Sequence, residues 1–149
     1  MNPINHSQML IHVIFSTKNQ QSLISKEIEP LLYDKISKIL YDECYSPALI
    51  IGGGVEYIHI ILAQSRDWSV DALVNRVKTK TVEFMRKRIE NFDWQEGYGA
   101  FSISRSEDEF EKKYIAEQKK FHQTVSYKDE FREFLKRHEI EYDEDEVWE

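Results

Sequence analysis

The stretch Pro47-Ala-Leu-Ile-Ile-Gly-Gly-Gly-Val-Glu-Tyr-Ile-His-Ile-Ile-Leu-Ala-Gln64 decides the fold. Two short apolar runs flank Gly52, Gly53 and Gly54. Glycine tolerates the backbone conformations a tight connection demands, so the simplest reading is two strands joined by a short turn. Side chains alternate faces along a strand. Tyr57, His59 and Ile61 therefore face one way, and Glu56, Ile58 and Ile60 the other. His59, fixed mid-strand among aliphatic residues, is the first side chain here with chemical potential. Its plainer role is an imidazole bonded to a neighbour.

Outward from this pair, His6 to Thr17 carries Met-Leu-Ile-His-Val-Ile-Phe-Ser, a first strand. Ser25 precedes Lys26-Glu27-Ile28-Glu29, a cap with acids in the first turn, and Pro30 suits that turn. Ile28, Leu31, Leu32, Ile36, Ile39 and Leu40 then form one stripe, so a first helix runs to about Glu43. Ser69 or Asp67 caps a second helix bearing Leu73, Val77, Val82, Phe84, Met85 and Ile89. Asn91 to Gly99 is an aromatic loop, and Ala100 to Ser104 a fourth strand. Ser106 with Glu109 spells a capping box for a third helix reaching about Gln123. Tyr127 to His138 is a fourth, amphipathic helix. Val147-Trp148, in the acidic tail, reads as a local anchor.

Strand, helix, strand, strand, helix, strand, then helices is the split βαβ, ferredoxin-like order. The expectation is an α+β fold: an antiparallel sheet with helices packed on it and an extra C-terminal helix, in a single domain spanning 1–149. With 149 residues, 41% hydrophobic and 32% charged, the chain suits one folded domain with a real core. No apolar run approaches the ~20 residues of a membrane helix. Met1 to Ser7 lacks a basic-then-apolar signal pattern. The single cysteine, Cys44, excludes an internal disulfide and a multi-cysteine zinc site, and a cytoplasmic location follows.

A net charge of −7 argues against nucleic acid at first sight, but the charge is unevenly spread. Glu139 to Glu149 holds seven acids and no Lys or Arg. Between Ser69 and Glu90 the balance reverses, with Arg76, Lys78, Lys80, Arg86, Lys87 and Arg88 against Asp71, Glu83 and Glu90. The local face decides what docks. On the third helix, Tyr114 and Gln118 are i,i+4 neighbours. Spacing alone favours a core phenol with an amide at its edge, and does not separate a packed tyrosine from a nucleophilic one.

Several segments carry a family likeness. They are Ile11 to Lys18, Ile58-His59-Ile60-Ile61-Leu62, Ser69 to Lys80, Trp94-Gln95-Glu96-Gly97-Tyr98-Gly99-Ala100-Phe101-Ser102, Tyr114-Ile115-Ala116-Glu117-Gln118, and Phe131 through Asp143. Together, in unbroken order over nearly the whole chain, they resemble the HUH-type single-tyrosine transposases, the insertion-sequence-200-like and REP-associated kind. The resemblance implies an enzyme that binds single-stranded DNA hairpin ends and cuts and rejoins strands through a 5′-phosphotyrosine. It implies Tyr114 as the nucleophile, His59 and Gln118 as ligands of a divalent ion (Mg or Mn), and a homodimer without a small-molecule cofactor. On this reading Arg76, Lys78 and Lys80 contact DNA phosphates, and Trp94 and Tyr98 are available for stacking, although packing is favoured for both.

The chain departs from the family pattern at one position. The motif is His, bulky apolar, His, and here it reads Tyr57-Ile58-His59. A neutral phenol, with an ordinary pKa near about 10, is a poor ligand for Mg or Mn. Metal binding is then weakened or lost unless another group steps in, and His12 on strand one is a conceivable substitute. The alternatives are a catalytically degenerate relative that binds DNA as a regulator and, more distantly, a ferredoxin-like domain that binds a small ligand or protein.

Overall fold

The computed structural model of the chain describes residues 6–149. Residues 1–5, part of the segment read as lacking a signal pattern, lie outside the described residues. Four strands, β1 (Leu10–Ser16), β2 (Ala48–Gly53), β3 (Tyr57–Ala63) and β4 (Gly99–Ile103), form one sheet in the order β2-β3-β1-β4. Every neighbouring pair is antiparallel. The helices are α1 (Glu29–Lys38), α2 (Val70–Arg86), α3 (Asp108–Ala116), α4 (Gln118–Phe121) and α5 (Tyr127–Arg137). This is the ferredoxin-like arrangement the sequence predicts. No helix among the described residues is long and apolar enough to cross a membrane.

Strand alternation divides the molecule into two layers. Val13 and Phe15 of β1 and Ile58, Ile60 and Leu62 of β3 pack against Leu32 and Ile36 of α1 and Leu73, Val74, Val77 and Met85 of α2. Each such buried side chain contributes about 1.5–3 kcal/mol relative to exposure. The opposite face presents Ile14, Tyr57 and Phe101 to Tyr127, Phe131, Phe134 and Leu135 of α5, with Tyr114 of α3 packed alongside. His12 and His59, both buried, lie in this second layer; His12 pairs with Ile61 and Ile14 with His59, so the two imidazoles are diagonal neighbours on adjacent strands. The chemistry-bearing residues thus sit under α3–α5, and α1 and α2 buttress the sheet from behind.

Local signals explain most boundaries. Ser69 Oγ accepts from Ala72 N–H at the start of α2, and Ser126 Oγ from Asp129 N–H at the start of α5, at 3.0 and 3.1 Å. The first helix continues beyond Lys38 as a wider turn, Ile39–Glu43. Three local readings differ from the structure. Gly52 and Gly53 belong to β2, opposite His59 and Ile58, and the connection is Gly54-Val55-Glu56. What Gly52 supplies is space: a Cβ there would stand 2.6 Å from Ile115 Cγ2 and from the Ile115 carbonyl oxygen. The Ser106–Glu109 capping box does not form. A turn of 3₁₀ helix, Arg105–Glu107, precedes α3, and Ser106 Oγ pairs with Ser104 Oγ at 3.1 Å. Acids in the first turn of α3 answer its macrodipole instead. Finally, the third helix breaks at Glu117 (φ −98°, ψ 17°) into α3 and α4. Neither Gly nor Pro stands there; the break coincides with the burial of Gln118.

Gly52→Ala is expected to push α3 off β2 and to destabilise the chain by about 1–3 kcal/mol. Urea unfolding measures this; an unchanged midpoint would contradict the close approach of the two elements.

Candidate active site

The second layer closes over one carboxylate. Glu130, on α5, is 3% exposed, and both of its oxygens are fully engaged. Oε1 lies 2.9 Å from His59 Nε2 and 2.9 Å from His122 Nε2. A carboxylate only accepts, so both imidazoles donate there. Oε2 accepts from Gln118 Nε2 at 3.1 Å and, through a very short bond, from the Tyr114 hydroxyl. Four donors from β3, α3, α4 and the residue after α4 thus meet one residue of α5. His59, when neutral, accepts at Nδ1 from His12 Nε2–H, 2.8 Å away. Tyr57 donates to Gln118 Oε1 at 3.2 Å and stacks on Tyr127.

The electrostatics follow from burial and these partners. Burial alone would raise the Glu130 carboxyl. Hydrogen bonds from His122 and His59, the attraction of His59 and the bond from Tyr114 together outweigh it and hold the group well below the usual carboxylate range. Burial, and then the adjacent Glu130 charge, push the Tyr114 phenol well above its ordinary value. The same two causes raise Tyr57. His12 is held well below its ordinary value by burial and by the neighbouring His59. At neutral pH the cluster is an ionised carboxylate ringed by donors, with two neutral phenols at its edge.

His59, Tyr114 and Gln118, singled out in the sequence, all converge on Glu130 within one chain. Gln118 places its amide nitrogen at Glu130 and its oxygen at Tyr57. His12 touches the cluster only through His59 Nδ1. Glu130 escaped the sequence reading, and His122 entered it only as part of the third helix, with no role of its own. Glu130 sits on the amphipathic α5 next to Phe131, and a lone acid on a solvated-looking helix carries no signal. His122 follows the unforeseen break after Ala116. His59, His122 and Glu130 each offer one donor atom, all within 4.8 Å of one another, so together they could hold a metal ion. Two imidazoles and a carboxylate fit a divalent ion in kind and spacing.

The basic residues of α2 lie across the sheet from this cluster. Arg76 pairs with Glu43 at 3.0 Å and lies over the Trp68 ring. Lys78 donates to the carbonyls of Gln95, Glu96 and Gly97 at 2.7, 3.2 and 2.7 Å, and burial lowers its ammonium to about 8. It clamps the loop before β4. Lys80 is half-buried on the same helix. Trp94 is packed, edge-on to Phe15 and Phe92, with its indole N–H on Thr81 Oγ1 at 2.8 Å. Tyr98 donates to Asp71 at 3.2 Å. Trp148, at the tail, packs on Tyr127 and Phe131, and the Glu149 carbonyl accepts from Gly97 N–H at 2.9 Å.

Two outcomes are expected. Glu130→Gln leaves one acceptor oxygen for four donors and should cost about 3–5 kcal/mol. Because the folded carboxyl is held low, its contribution to stability is complete above the unfolded value near about 4.3 and is lost as pH falls through the folded value. Thermal unfolding from pH 7 to pH 3 should therefore fall more steeply for the native chain than for Glu130→Gln; parallel curves would refute the assignment. Lys78→Met should lower stability through loosening of the 95–97 loop, detectable as faster amide exchange at Gly97; unchanged exchange would show that the clamp does not hold it.

Comparison with known proteins bears on the fold and the family. The chain's fold is shared with a crystal structure of a Deinococcus radiodurans protein assigned as a transposase, at TM-score 0.63 and 16% identity, covering 79% of this chain and 96% of that one. It is shared also with a REP-associated tyrosine transposase bound to a REP hairpin, at TM-score 0.61 and 16% identity, covering 84% of this chain and 76% of that one. Among curated proteins no match was found. The family model described as "Transposase IS200 like" matches residues 5–118, from the start of the first strand region through Gln118, and the chain belongs to that family.

Proposed function

We propose that the chain binds hairpin ends of single-stranded DNA and cleaves and rejoins a strand through a 5′-phosphotyrosine at Tyr114. The observation that carries this reading is the meeting of the Tyr114 hydroxyl, His59 and Gln118 on one buried carboxylate in a member of a transposase family. The hairpin-bound relative supports the choice of DNA.

The balance of the step is simple. The Tyr114 oxygen forms a bond to phosphorus and the P–O3′ bond breaks. The phenolic proton passes along its existing bond to Glu130 Oε2, and the leaving 3′ oxygen takes a proton from water. An unassisted phenol raised above its ordinary pKa is a poor nucleophile, so the resting cluster restrains Tyr114. His59, with His122 and Glu130 beside it, would hold a divalent ion such as Mn. When bound, such an ion supplies charge stabilisation at the phosphate. DNA reaches Tyr114 when α3 and α4 lift from the sheet, and the break at Glu117 gives them a place to hinge. Of the basic residues on α2, Lys80 is the one whose ammonium is not already engaged by a carboxylate or carbonyl among the described contacts, so it is offered to phosphate. A homodimer completes the reading.

The second reading is a degenerate relative that binds hairpins without cutting. Tyr57 favours it: the phenol occupies the place of the first motif histidine and is spent on Gln118.

Purified protein incubated with Mn and single-stranded hairpin oligonucleotides from element ends should give a covalent adduct that Tyr114→Phe abolishes. Binding without an adduct, rescued by Tyr57→His, would establish the degenerate reading instead. Lys80→Ala should weaken hairpin binding and reduce the slope of log affinity against log salt by about 0.7; an unaltered slope would remove α2 from the interface.

A further inference from the structure

We propose that His59, His122 and Glu130 form a metal site of altered composition, selective for a divalent transition ion such as Mn, Co or Zn over Mg. The proposal deepens the metal requirement of the strand-transfer reading, and it stands on geometry that does not involve DNA.

Three observations carry it. The first is donor placement. Both imidazole Nε2 atoms lie 2.9 Å from Glu130 Oε1, and the three donor atoms fall within 4.8 Å of one another. Ligands at about 2.0–2.2 Å from a common ion stand roughly 3 Å or slightly more apart, so small shifts, with the proton of each imidazole moved from Nε2 to Nδ1 and His59 then donating from Nδ1 to His12 Nε2, convert the hydrogen-bonded cluster into a ligand set. The second is that the expected donors are already committed. Tyr57 donates to Gln118 Oε1, which turns the amide oxygen away from His59 and offers its N–H₂, a group with no free lone pair, to Glu130. The third is outer support. His12 lies 2.8 Å from His59 Nδ1, fixing the ring with Nε2 toward Glu130, while Tyr114 and Gln118 hold the carboxylate by its other oxygen. Partners of this kind orient ligands and raise affinity.

The donor set then dictates the ion. Two neutral imidazoles and one carboxylate suit divalent transition metals. Mg prefers oxygen ligands in near-ideal octahedral geometry and keeps much of its water. A buried pocket with two nitrogens offers it little. His122 and Glu130 both lie beyond residue 118, where the family match ends, and the ligands come from β3, the turn after α4, and α5. An ion at this point would therefore pin the α4–α5 hairpin to the sheet, and binding should register as stability.

The experiment uses the full chain, stripped with chelator and titrated separately with Co(II), Mn, Zn and Mg. Co(II) should produce a visible d–d absorption band and raise the unfolding temperature, with no rise from Mg at the same concentration. His122→Ala, at a half-buried position that the fold tolerates more readily than Glu130→Ala, should weaken Co(II) binding by more than about 100-fold, beyond the loss typical of an outer-shell change. Gln118→Ala should retain the band. The proposal falls if Co(II) changes neither spectrum nor stability, if Mg stabilises equally, if His122→Ala binds normally, or if Gln118→Ala abolishes the band. Its failure is separable from that of strand transfer: an adduct at Tyr114 without the Co(II) band removes this site alone, and the band without an adduct removes the transferase alone.

Discussion

A buried carboxylate has to be satisfied, and here that requirement gathers the second layer of the molecule. Glu130 is almost fully removed from water. An isolated charge in that position would cost many kcal/mol or would simply take up a proton. It stays ionised because two imidazoles, a phenol and an amide donate to it. Each of those donors is brought by a different piece of chain, so the ionised state of Glu130 depends on β3, α3, α4 and α5 being docked at once. The same bonds that settle the charge also assemble the residues from which the chemistry is inferred.

The sheet makes this possible by keeping its two faces distinct. One face is occupied by aliphatic packing under α1 and α2. The other admits His12, Tyr57 and His59 beneath aromatic residues of α5. Gly52 lets α3 approach β2 closely enough for Tyr114 and Gln118 to reach the cluster. Behind the sheet, Lys78 gathers three carbonyls of the loop before β4, and that loop also receives the chain's last residues. A basic residue is therefore not automatically a phosphate contact: on α2 Lys78 is a structural clamp, and Arg76 is paired with Glu43.

Tyr57 shows how one strand residue sets the hydrogen bonding of its neighbours. A phenol lacks the ligand chemistry of imidazole. It keeps a ring that stacks on Tyr127 and a hydroxyl that finds Gln118. The amide is thereby drawn into a hydrogen-bond bridge between Tyr57 and Glu130, while His59, His122 and Glu130 bring their donor atoms close together.

By itself the sequence determined the element order, the sheet class, the facing of Tyr57 and His59, and the pairing of Tyr114 with Gln118, because alternation, helical spacing and a cap such as Ser69 are local properties. It also carried the family likeness. The tertiary structure alone decided what fills the centre of the site. His122 repeats the Tyr114–Gln118 interval of four, but nothing local says that it or Glu130 turns inward, and the break at Glu117 that leads to His122 is marked by neither glycine nor proline. Whether a given acid is a solvated surface charge or the hub of a buried network depends on which way its helix rolls against the sheet. That roll is set by the packing of Phe131, Phe134 and Leu135 on Ile14 and Phe101, contacts far apart in the chain.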